Sequence, residues 1–478
     1  MAPNSLPCLF SIGETNKNLI GFSHYLIVSL SPFDITQGDH EALNGRTMRY
    51  SKLFGRTSKE VPHDADSVNA RLLVQAGFIN QLAAGIYTYL PLGLRVLTKI
   101  KTIVREEMNA VDGQEILMPA LIPKAPWEIT KRWDAIDVLF KLKGAGDKEF
   151  ALGPTHEEVV TPLVQQYVKS YKDLPVSVYQ IQDKFRNEAR AKSGLLRGRE
   201  FAMKDMYSFH TSLQELEVYY DRVLQQYLTV FTRCGLNAIV TEASGGVFSK
   251  YSHEYQVATP SGEDLIYQCD QCRWAVNREI AEVKDGDVCS KCGKGTIKEI
   301  KAIEVGNIFK LSTRFADDFG FHVTLEDGSA GQVWMGCYGF GPSRVMGSIV
   351  EVHHDDAGMM WPKSVAPYHV HMVSLSHKDE SVKSQIDEAA QDLHDEMEAV
   401  GIEVLWDERE DVRAGEKFAD ADLIGIPLRL VVSQKSLAEG SAEWKERHET
   451  DARLVKLEDV VEEAKEWLSA PERLTSHG

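Results

Sequence analysis

Two predicted strands joined by a basic loop constrain the fold of this chain more than any other stretch. Residues 176–190 predict a strand that enters a loop, and residues 196–209 predict the strand that returns. Together they predict an antiparallel hairpin. Its tip is rich in arginine and lysine, although the chain of 478 residues carries a formal net charge of −18. The acidic balance argues against polyanion binding by the whole surface, so an anion site is expected to be local.

The side chains of this hairpin suggest a site for a nucleotide. Arg186 and Glu188 are two residues apart and should point to the same face of a strand. Phe201 lies on the returning strand. An arginine facing a phosphate, an acid that orients it and an aromatic face for a base are the parts of such a site. A solvated charged turn is the alternative.

A glycine-rich run, GCYGFGPSR at residues 336–344, is a second candidate. It predicts a strand end followed by a helix with Pro342 near its first turn. Glycines let the backbone approach a ligand closely, and Arg344 would lie where the amide donors of a helix start favour an anion. The run is neither a Walker loop nor a GxGxxG motif, and tight core packing is the alternative. The glycines in question are Gly336, Gly339 and Gly341.

Four of the seven cysteines form two CxxC pairs with sixteen residues between them. This spacing predicts a ribbon that binds one zinc ion through four thiolates in a tetrahedron. Such a closed site would be structural rather than catalytic, because no coordination position stays open. Four reduced thiols without a metal are the alternative. The predicted ligands are Cys269, Cys272, Cys289 and Cys292.

The length of the chain is sufficient for two or three domains. Apolar residues at a helical period predict a helix over 94–113. Residues 114–123 predict an edge or interface strand, because Pro119 removes a ladder donor. After Pro367, strands alternate with amphipathic helices, which predicts a small α/β domain. Residues 66–92 predict helical, apolar structure with glycine breaks.

The N-terminal residues 1–47 lack both the pattern of a secretory signal and the arginine content of a mitochondrial transit peptide. Met48 opens a stretch that reads like a natural start, so we expect residues 1–47 to be a disordered extension or a mis-assigned start. No run of about 18 apolar residues occurs in the chain, so no membrane partner is expected.

These stretches occur in the order found in class II aminoacyl-tRNA synthetases. FRNE…RGREF resembles motif 2 of that class, the glycine-rich strand and helix with Arg344 resemble motif 3, and the helix before QEILMPALIP resembles motif 1, with Pro119 at its proline. The chain from about Met48 to its C-terminus is similar to the prolyl-tRNA synthetases of the bacterial and mitochondrial type. Further stretches that carry this resemblance are RWD (132–134), GPTHEE (153–158), SHEYQ (252–256) and WPKSVAPYHVHM (361–372).

The resemblance implies an α+β fold with three parts. An antiparallel catalytic sheet flanked by helices would occupy residues 48–366, with a small zinc ribbon at 266–302 inside it. An α/β anticodon-binding domain would occupy residues 367–478. Motif 1 implies a homodimer. The expected compartment is the cytoplasm, with mitochondria as the alternative, and no DNA partner is expected.

The resemblance also implies an activity. The chain would form prolyl-adenylate from L-proline and ATP, and would then transfer proline to the 3′ end of proline tRNA. Magnesium would accompany the ATP, with ligands that the sequence does not assign.

Roles for single residues at the ATP site follow from the same resemblance. Arg186 would stabilise the charge that develops on the α-phosphate and would contact proline, and Glu188 would orient the adenine amine or the arginine. Arg197 would meet the distal phosphates. Phe201 and Arg344 would hold the adenine between them. The residues expected to be catalytic are therefore Arg186, Glu188 and Arg344.

Two further stretches imply a proline site. Thr155 and Glu157 would alternate on one strand face and receive the cationic amine of proline. A structural Thr–Glu turn is the alternative. His253 resembles a family histidine near the amino acid, although a lone histidine is more often a structural residue.

The sequence also predicts that an editing domain is absent, and it leaves two rival functions to consider. Between Phe209 and Ile303 the chain has room for helices, a strand and the ribbon, but not for the large editing domain that many bacterial members carry there. A threonyl-type synthetase, the nearest rival, would need a catalytic zinc held by one cysteine and two histidines. A non-catalytic paralogue should have lost Arg186, Glu188 or Arg344, which are all present.

Overall fold

The computed structural model describes residues 47–60, 67–246 and 251–472. These residues fall in one compact unit. The prediction that residues 1–47 form an extension or a mis-assigned start lies outside them, apart from Thr47. None of the described helices is both long and apolar enough to span a membrane.

The first half of the chain supplies the hairpin strands of a central sheet and the helices beside them. In chain order its elements are β1 (Thr47–Arg49), α1 (Val68–Gln75), β2 (Ile79–Ala83), β3 (Ile86–Tyr89), α2 (Pro91–Asn109), β4 (Gln114–Glu115), β5 (Leu121–Pro123), α3 (Lys124–Ile129), β6 (Phe140–Lys143), β7 (Glu149–Leu152), α4 (Glu157–Tyr167), β8 (Val176–Phe185), β9 (Glu200–His210) and α5 (Leu213–Arg233).

The second half completes the central sheet and adds a C-terminal sheet. Its elements are β10 (Ala238–Ser244), β11 (Tyr251–Ala258), β12 (Asp264–Cys269), β13 (Ala275–Asn277), β14 (Ile297–Ser312), α6 (Arg314–Asp318), β15 (His322–Thr324), β16 (Ala330–Gln332), β17 (Trp334–Phe340), α7 (Pro342–Val352), β18 (Val370–Ser374), α8 (Glu380–Ala399), β19 (Val404–Asp407), α9 (Ala414–Ile424), β20 (Leu428–Val432), α10 (Gln434–Ala438), β21 (Ser441–Glu446), β22 (Arg453–Lys456) and α11 (Leu457–Ser469).

The central sheet has nine strands in the order β11-β10-β13-β12-β14-β17-β9-β8-β4. Its middle pairs, from β14 through β17 and β9 to β8, are all antiparallel. Apolar clusters cover both faces: Met206 of β9 belongs to the cluster that includes α2, α5 and α7, and the next residue, Tyr207, belongs to the opposite cluster. This two-residue alternation is that of a strand buried on both sides. The predicted antiparallel sheet flanked by helices is therefore confirmed.

The two stretches that suggested an anion site fold largely as predicted. Strands β8 and β9 form the hairpin, with Val176 opposite Phe209 and Phe185 opposite Glu200. Strand β17 ends at Phe340, and α7 follows with its proline in the first turn. The predicted long helix is α2, which begins at Pro91. The hairpin and the β17–α7 unit meet because β9 and β17 are neighbours in the sheet.

The C-terminal sheet has six strands in the order β1-β19-β18-β20-β21-β22. Strands β18, β19 and β20 are parallel, whereas β21 and β22 run antiparallel to their neighbours. Helices α8 and α11 bury one face of this sheet around Ile386, Trp444 and Val460. The predicted mixed α/β arrangement is thus present.

Strand β1 is a short element that the sequence analysis does not predict. Thr47–Arg49 pair in parallel with β19 at the edge of the C-terminal sheet, whereas Met48 was expected to open the catalytic domain. The guanidinium of Arg49 lies over the ring of Trp406, 4.2 Å from its centroid. A strand of three residues has no periodicity of its own, so the sequence does not indicate its partner.

Two other stretches also differ from the prediction. In the predicted helical stretch 66–92 the helices are α1 and the first two residues of α2, and the hairpin β2–β3 lies between them. The turns on either side of β2 contain Gly77 and Gly85, at φ values of +71° and +73° that glycine adopts readily. Residues 114–123 form two short strands in two different sheets, with Pro119 between them.

Candidate active site

A cavity of about 350 Å³ lies over the middle of the central sheet. Its walls come from the loop that follows β8, from the first half of β9, from β14 and β17, and from the first turn of α7. Seven of the eight side chains that the sequence analysis assigned to ATP or proline line this cavity. They are Thr155, Glu157, Arg186, Glu188, Arg197, Phe201 and Arg344.

The cavity has two ends with different chemistry. The arginine end is formed by Arg186, Glu188, Arg197, Phe201, Glu304 and Arg344. The carboxylate end is formed by Arg132, Thr155, Glu157 and Cys337.

Arg186 and Glu188 lie just beyond the end of β8, which closes at Phe185. The prediction that they share a strand face is therefore wrong in detail, although both side chains reach the cavity. The backbone amide of Arg186 still donates to the carbonyl of Arg199, at 2.9 Å. Its guanidinium lies over the ring of Phe201, 5.2 Å from the centroid. Burial, with the nearby charge of Arg344, lowers the pKa of Arg186, as expected for a cation held ready for an anion.

Arg344 lies in the first turn of α7, as predicted. Its Nε donates to the carbonyl oxygen of Leu196 at 2.9 Å, and its Nη1 donates to the carbonyl oxygen of Glu304 at 2.8 Å. The carboxylate of Glu304 is a further 3.1 Å partner. These contacts fix the plane of the guanidinium at the wall of the cavity.

Arg197 forms an ion pair with Glu188 across the base of the hairpin loop. Its Nε and Nη2 both donate to Glu188 Oε2, at 3.1 and 3.0 Å. The side chain of Arg197 is 47% exposed. A partly solvated pair of this kind is weak, so an incoming phosphate can compete for the guanidinium.

The three glycines of the run 336–344 lie in two different environments. Gly339 and Gly341 line the cavity. Gly336 does not line it, and a Cβ there would lie 2.3 Å from the hydroxyl of Tyr338. Core packing therefore accounts for Gly336, and closeness to a ligand remains a prediction for the other two.

Glu157 anchors the carboxylate end. It is the first residue of α4, and Thr155 lies in the loop after β7, so the prediction of a shared strand face is wrong. The two side chains nevertheless meet, because Thr155 Oγ1 donates to Glu157 Oε2 at 2.6 Å. Glu157 is fully buried and also accepts from Arg132 Nη1 at 3.2 Å and from the thiol of Cys337 at 3.3 Å.

A second buried carboxylate shares the same arginine. Arg132 Nη1 donates to Glu158 Oε1 at 2.8 Å, and Thr130 Oγ1 donates to the same oxygen at 2.9 Å. Burial raises the pKa of Glu158 to about 7. One guanidinium thus balances two adjacent carboxyl groups out of contact with water.

A buried network under the carboxylate end holds the loop that carries Thr155. Lys184 Nζ lies 2.9 Å from Asp205 Oδ1 and 2.8 Å from His156 Nδ1. The hydroxyl of Tyr207 donates to Asp205 Oδ2 at 3.0 Å and accepts from the backbone amide of His156 at 2.9 Å. Burial lowers the pKa of both Lys184 and His156. The loop is therefore fixed from below by paired groups before any ligand enters.

Comparison with known proteins agrees with this geometry. The family model described as "tRNA synthetase class II core domain (G, H, P, S and T)" matches residues 140–353, and the model described as "Anticodon binding domain" matches residues 369–467. The proline–tRNA ligases of Trichlorobacter lovleyi and Geobacter metallireducens are each 34% identical to this chain, over 87% of this chain and 98% of each relative. The chain belongs to the prolyl-tRNA synthetase family.

As a member of that family, the chain is an aminoacyl-tRNA synthetase with a class II core and an anticodon-binding domain. A solved structure of similar fold is Giardia lamblia prolyl-tRNA synthetase in complex with prolyl-adenylate, with a TM-score of 0.69 over 82% of this chain and 73% of that one. At 20% identity this likeness supports the fold alone. The predicted family and fold class are confirmed.

His253 is the predicted site residue that does not reach the cavity of this synthetase. It lies on β11, where its Nδ1 and the hydroxyl of Tyr220 form a hydrogen bond of 2.8 Å. That contact is on the face covered by α5. The next residue, Glu254, faces the other way and accepts from Asn307 at 3.4 Å, near the cavity wall. Because neighbouring residues of a strand point to opposite faces, the assignment of His253 to proline is not supported.

The four ribbon cysteines come together as predicted. Cys269 Sγ lies 3.8 Å from Cys292 Sγ, and Cys272 Sγ lies 3.8 Å from Cys289 Sγ. Four sulfurs bound at about 2.3 Å to one tetrahedral ion are separated by about 3.8 Å. Backbone amides of the turns that contain the CxxC pairs, including the amide of Gly295, donate to the sulfurs. These hydrogen bonds lower the pKa of Cys292 to about 6. The donor set therefore fits a zinc ion.

Sequence reasoning gave no role to several residues of this site. Arg132 was part of the RWD stretch, and Cys337 was part of the glycine-rich run, but neither was assigned to a ligand. Glu304, Asp205 and Lys184 were not singled out. Each gains its role from a partner on a distant part of the chain, which no local spacing indicates.

Proposed function

We propose that this synthetase condenses L-proline with ATP to prolyl-adenylate and transfers the prolyl group to the 3′ end of proline tRNA. The observation that carries the proposal is the shape of the cavity, in which three arginines and an aromatic ring at one end face a fully buried carboxylate at the other. The arginines suit a triphosphate, the ring suits a base, and the carboxylate suits a cationic amine.

At the arginine end the proposed catalytic work is electrostatic. The carboxylate of proline attacks the α-phosphorus, the bond to the bridging oxygen of the β-phosphate breaks, and pyrophosphate leaves. Negative charge develops on the oxygens of the α-phosphate during this step. Arg186, whose guanidinium is already desolvated, would stabilise that charge without rearrangement. Glu188 would orient the adenine amine or Arg186, and Arg197 would leave Glu188 to meet the distal phosphates. Phe201 and Arg344 would hold the adenine between them.

At the carboxylate end the proposed ligand is the secondary amine of proline. Glu157 would accept from the amine, with Thr155 as a second acceptor beside it. The pair Arg132–Glu158 would keep the carboxylate of Glu157 in place, because all three are buried. Asp205, held by Lys184 and lining the same cavity, would help to keep the pocket polar on that side.

Magnesium would be held beside the triphosphate, where it neutralises phosphate charge. Its candidate ligands are Glu304, on the cavity wall, and Glu254 behind it. The amide of Asn307 lies 3.2 Å from one and 3.4 Å from the other. Oxygen donors of this kind suit Mg²⁺. Burial, and secondly repulsion from the carboxylate of Glu304, raises the pKa of Glu254 to about 7.

The decisive experiment is ATP–pyrophosphate exchange by the purified chain. Exchange that depends on proline, followed by charging of proline tRNA, is the expected result. Exchange with threonine but not proline would favour the threonyl-type rival. No exchange with any amino acid, from protein that binds proline tRNA, would favour a non-catalytic paralogue.

We also propose that the chain has no hydrolytic editing site of its own. The described residues between 209 and 303 fold into α5, β10 to β13, the two CxxC turns and the start of β14, which leaves no separate domain among them. The curated relatives align over 567 and 566 residues while 87% of this shorter chain takes part, so a large part of each relative has no counterpart here.

Alanine tests this proposal. A pocket that admits the proline ring cannot exclude alanine by size, and each missing methylene is worth only about 1–3 kcal/mol of discrimination. The enzyme should therefore form alanyl-tRNA(Pro) and leave it intact. Rapid, enzyme-dependent deacylation of preformed alanyl-tRNA(Pro) would reveal an editing site and contradict the proposal.

The zinc ribbon is proposed as a structural element. Metal analysis of anaerobically purified protein should find one zinc per chain, and Cys289→Ser should lower that content. Cys234→Ser is the matched control, because Cys234 is also buried but lies outside the ribbon. Protein without zinc after anaerobic purification would rule the proposal out.

The predicted homodimer would form along the edge strand of the central sheet. Strand β4 is the last strand of that sheet. Leu117, 76% exposed, and Leu121, 48% exposed, follow it. Exposed apolar side chains beside an open edge are typical of an interface. Light scattering should give the mass of a dimer for the wild type and of a monomer for Leu117→Glu. The cytoplasmic location stays a prediction.

A further inference from the structure

Three elements of the catalytic region meet at one fully buried side chain, that of Asn69. Asn69 lies in the first turn of α1. Around it are the middle of α7 and the short turn Gly194–Leu196, which belongs to the basic loop of the hairpin. No sequence motif drew attention to Asn69, and it does not line the cavity.

The amide group of Asn69 spans the start of that turn. Its Nδ2 donates to the carbonyl oxygen of Ser193 at 3.2 Å, and its Oδ1 accepts from the backbone amide of Leu195 at 3.0 Å. Ser193 and Gly194 both have a φ of +61°. A left-handed conformation is unfavourable for a residue such as serine, so the loop needs an outside partner to keep it.

The same turn continues directly into the arginine end of the cavity. Leu195 and Leu196 line the cavity. The carbonyl oxygen of Leu196 is the 2.9 Å acceptor for Arg344 Nε. The next residue, Arg197, carries the pair with Glu188. Any displacement of the turn therefore moves the partners of both arginines.

Asn69 is itself fixed to the helix that carries Arg344. Its backbone amide and its Nδ2 both donate to Glu351 Oε1, at 2.8 and 2.7 Å. Glu351 lies near the end of α7. On the same helix a Cβ at Gly347 would approach Leu196 Cδ2 to 3.1 Å, so helix and turn are closely packed. The turn and α7 are thus held as one unit by Asn69.

We infer that Asn69 is a positioning residue for ATP, which holds the Ser193–Leu196 turn against α7 so that Arg344 and Arg197 keep their places at the arginine end. The inference rests on the proposed function, because it assumes that ATP occupies that end. The carboxylate end shares no contact with Asn69, so proline binding should be independent of it. A residue needed only for folding would not separate the two substrates in this way.

Two substitutions break the contact from opposite sides. Asn69→Ala removes the amide group. Gly194→Ala leaves Asn69 in place but would put a Cβ 2.3 Å from its Oδ1, at a φ of +61°. Ser436→Ala is the matched control, because Ser436 is 1% exposed and hydrogen-bonded, yet lies in the C-terminal sheet region away from the cavity.

Steady-state pyrophosphate exchange, with the active fraction of each preparation measured by titration, gives KM for ATP and for proline separately. The loss of the two hydrogen bonds between Asn69 and the Ser193–Leu196 turn should raise KM for ATP about tenfold in either single variant. KM for proline should stay within about twofold of wild type, and the double variant should be little worse than the singles, because both break one contact. Ser436→Ala should change neither constant.

The outcomes separate this inference from the proposed function. Wild-type protein without proline-dependent exchange would refute the proposed function itself. An active wild type, with KM for ATP in Gly194→Ala and in any folded Asn69→Ala within about twofold of wild type, would refute the positioning role. Equal rises in KM for ATP and for proline would also refute it. If Asn69→Ala does not fold, Gly194→Ala decides alone.

Discussion

The two ends of the cavity hold their charges in different ways. At the arginine end the side chains of Arg197 and Arg344 are 47% and 29% exposed, and their carboxylate partners are partly solvated as well. At the carboxylate end Arg132 is 3% exposed, and Glu157 and Glu158 are not exposed at all. One end therefore meets its ligand with solvated ion pairs, and the other with buried ones.

This difference suits two kinds of ligand. Solvated ion pairs contribute little to stability and can be exchanged for a phosphate at small cost. Buried pairs are strongly destabilised when one partner is removed, because the other charge is left uncompensated. The carboxylate end should thus keep its shape with or without proline, whereas the Arg197–Glu188 pair at the arginine end should open when ATP binds. Four substitutions test this contrast.

Arg186→Ala should have the largest effect on activity. Its guanidinium acts on charge that develops in the transition state, so proline-dependent exchange should fall by a factor on the order of 1,000. The unfolding temperature should not fall, since burial of this cation already lowers its pKa. Arg186→Lys, which keeps the charge without the planar fork, should retain more activity. Exchange within tenfold of wild type in Arg186→Ala would show that the arginine end does not carry the chemistry.

Glu157→Gln should impair proline binding and stability together. The amine would lose a charged acceptor, which should raise KM for proline roughly 10- to 100-fold. Arg132 would lose one of its two buried partners, so the free energy of unfolding should also fall. Glu149→Gln, an exposed carboxylate on the neighbouring strand β7, is the control. A variant with a higher KM for ATP and an unchanged KM for proline would reverse our assignment of the two ends.

Arg197→Ala should raise KM for ATP without changing KM for proline, and its effect should be smaller than those of the two preceding substitutions. Its pair with Glu188 is partly solvated, so its removal should leave the unfolding temperature within a degree or two of wild type. KM for ATP should rise about three- to tenfold, which corresponds to roughly 0.7–1.4 kcal/mol, the net contribution of one ordinary hydrogen bond. Arg222→Ala, which removes an equally exposed arginine paired with Asp112, is the control. A marked loss of stability would mean that the arginine end is as rigid as the carboxylate end.

Glu158→Gln should have the smallest effect, on the pH dependence of stability. Burial raises the pKa of Glu158 to about 7, above the value of about 4.3 in an unfolded chain. The folded state therefore binds more protons between these values, and the stabilisation by this carboxyl is lost as the pH rises through about 7. The unfolding temperature of wild type minus that of the variant should be larger at pH 5 than at pH 8. The same difference at both pH values would show that Glu158 does not titrate in this range.

The sequence predicted the larger elements of this fold well, because strong patterns specified them. The hairpin β8–β9, the β17–α7 unit and the C-terminal alternation all follow from periodicity and turn residues. It also predicted which stretches meet at the cavity, through the family motifs. Strand β1 and the β2–β3 hairpin were not predicted, since short strands are defined by partners elsewhere in the chain.

Side-chain direction was predicted less well than position. The sequence analysis expects Arg186 and Glu188, and likewise Thr155 and Glu157, to share a strand face. These residues lie one to five positions beyond the ends of β8 and β7, so they have no strand face to share. His253 lies on a strand, but its alternation alone does not tell which face meets the cavity. Arg132 and Asn69 act through residues distant in the sequence, and only the folded chain brings those residues together.

The position of β1 in the C-terminal sheet limits the order in which parts of this chain can fold during synthesis. Its residues leave the ribosome among the first of the described segment, yet they pair with β19. Ser51 beside it donates to Glu408, 357 residues further on. Until β19 has been made, β1 has no partner, and such distant contacts form late. Conversely, a C-terminal fragment cut at Pro367 would expose the unpaired edge of β19. We expect such an edge to form intermolecular β-pairing and to promote aggregation. The last sheet to be synthesised therefore has the first of the described strands at one of its edges.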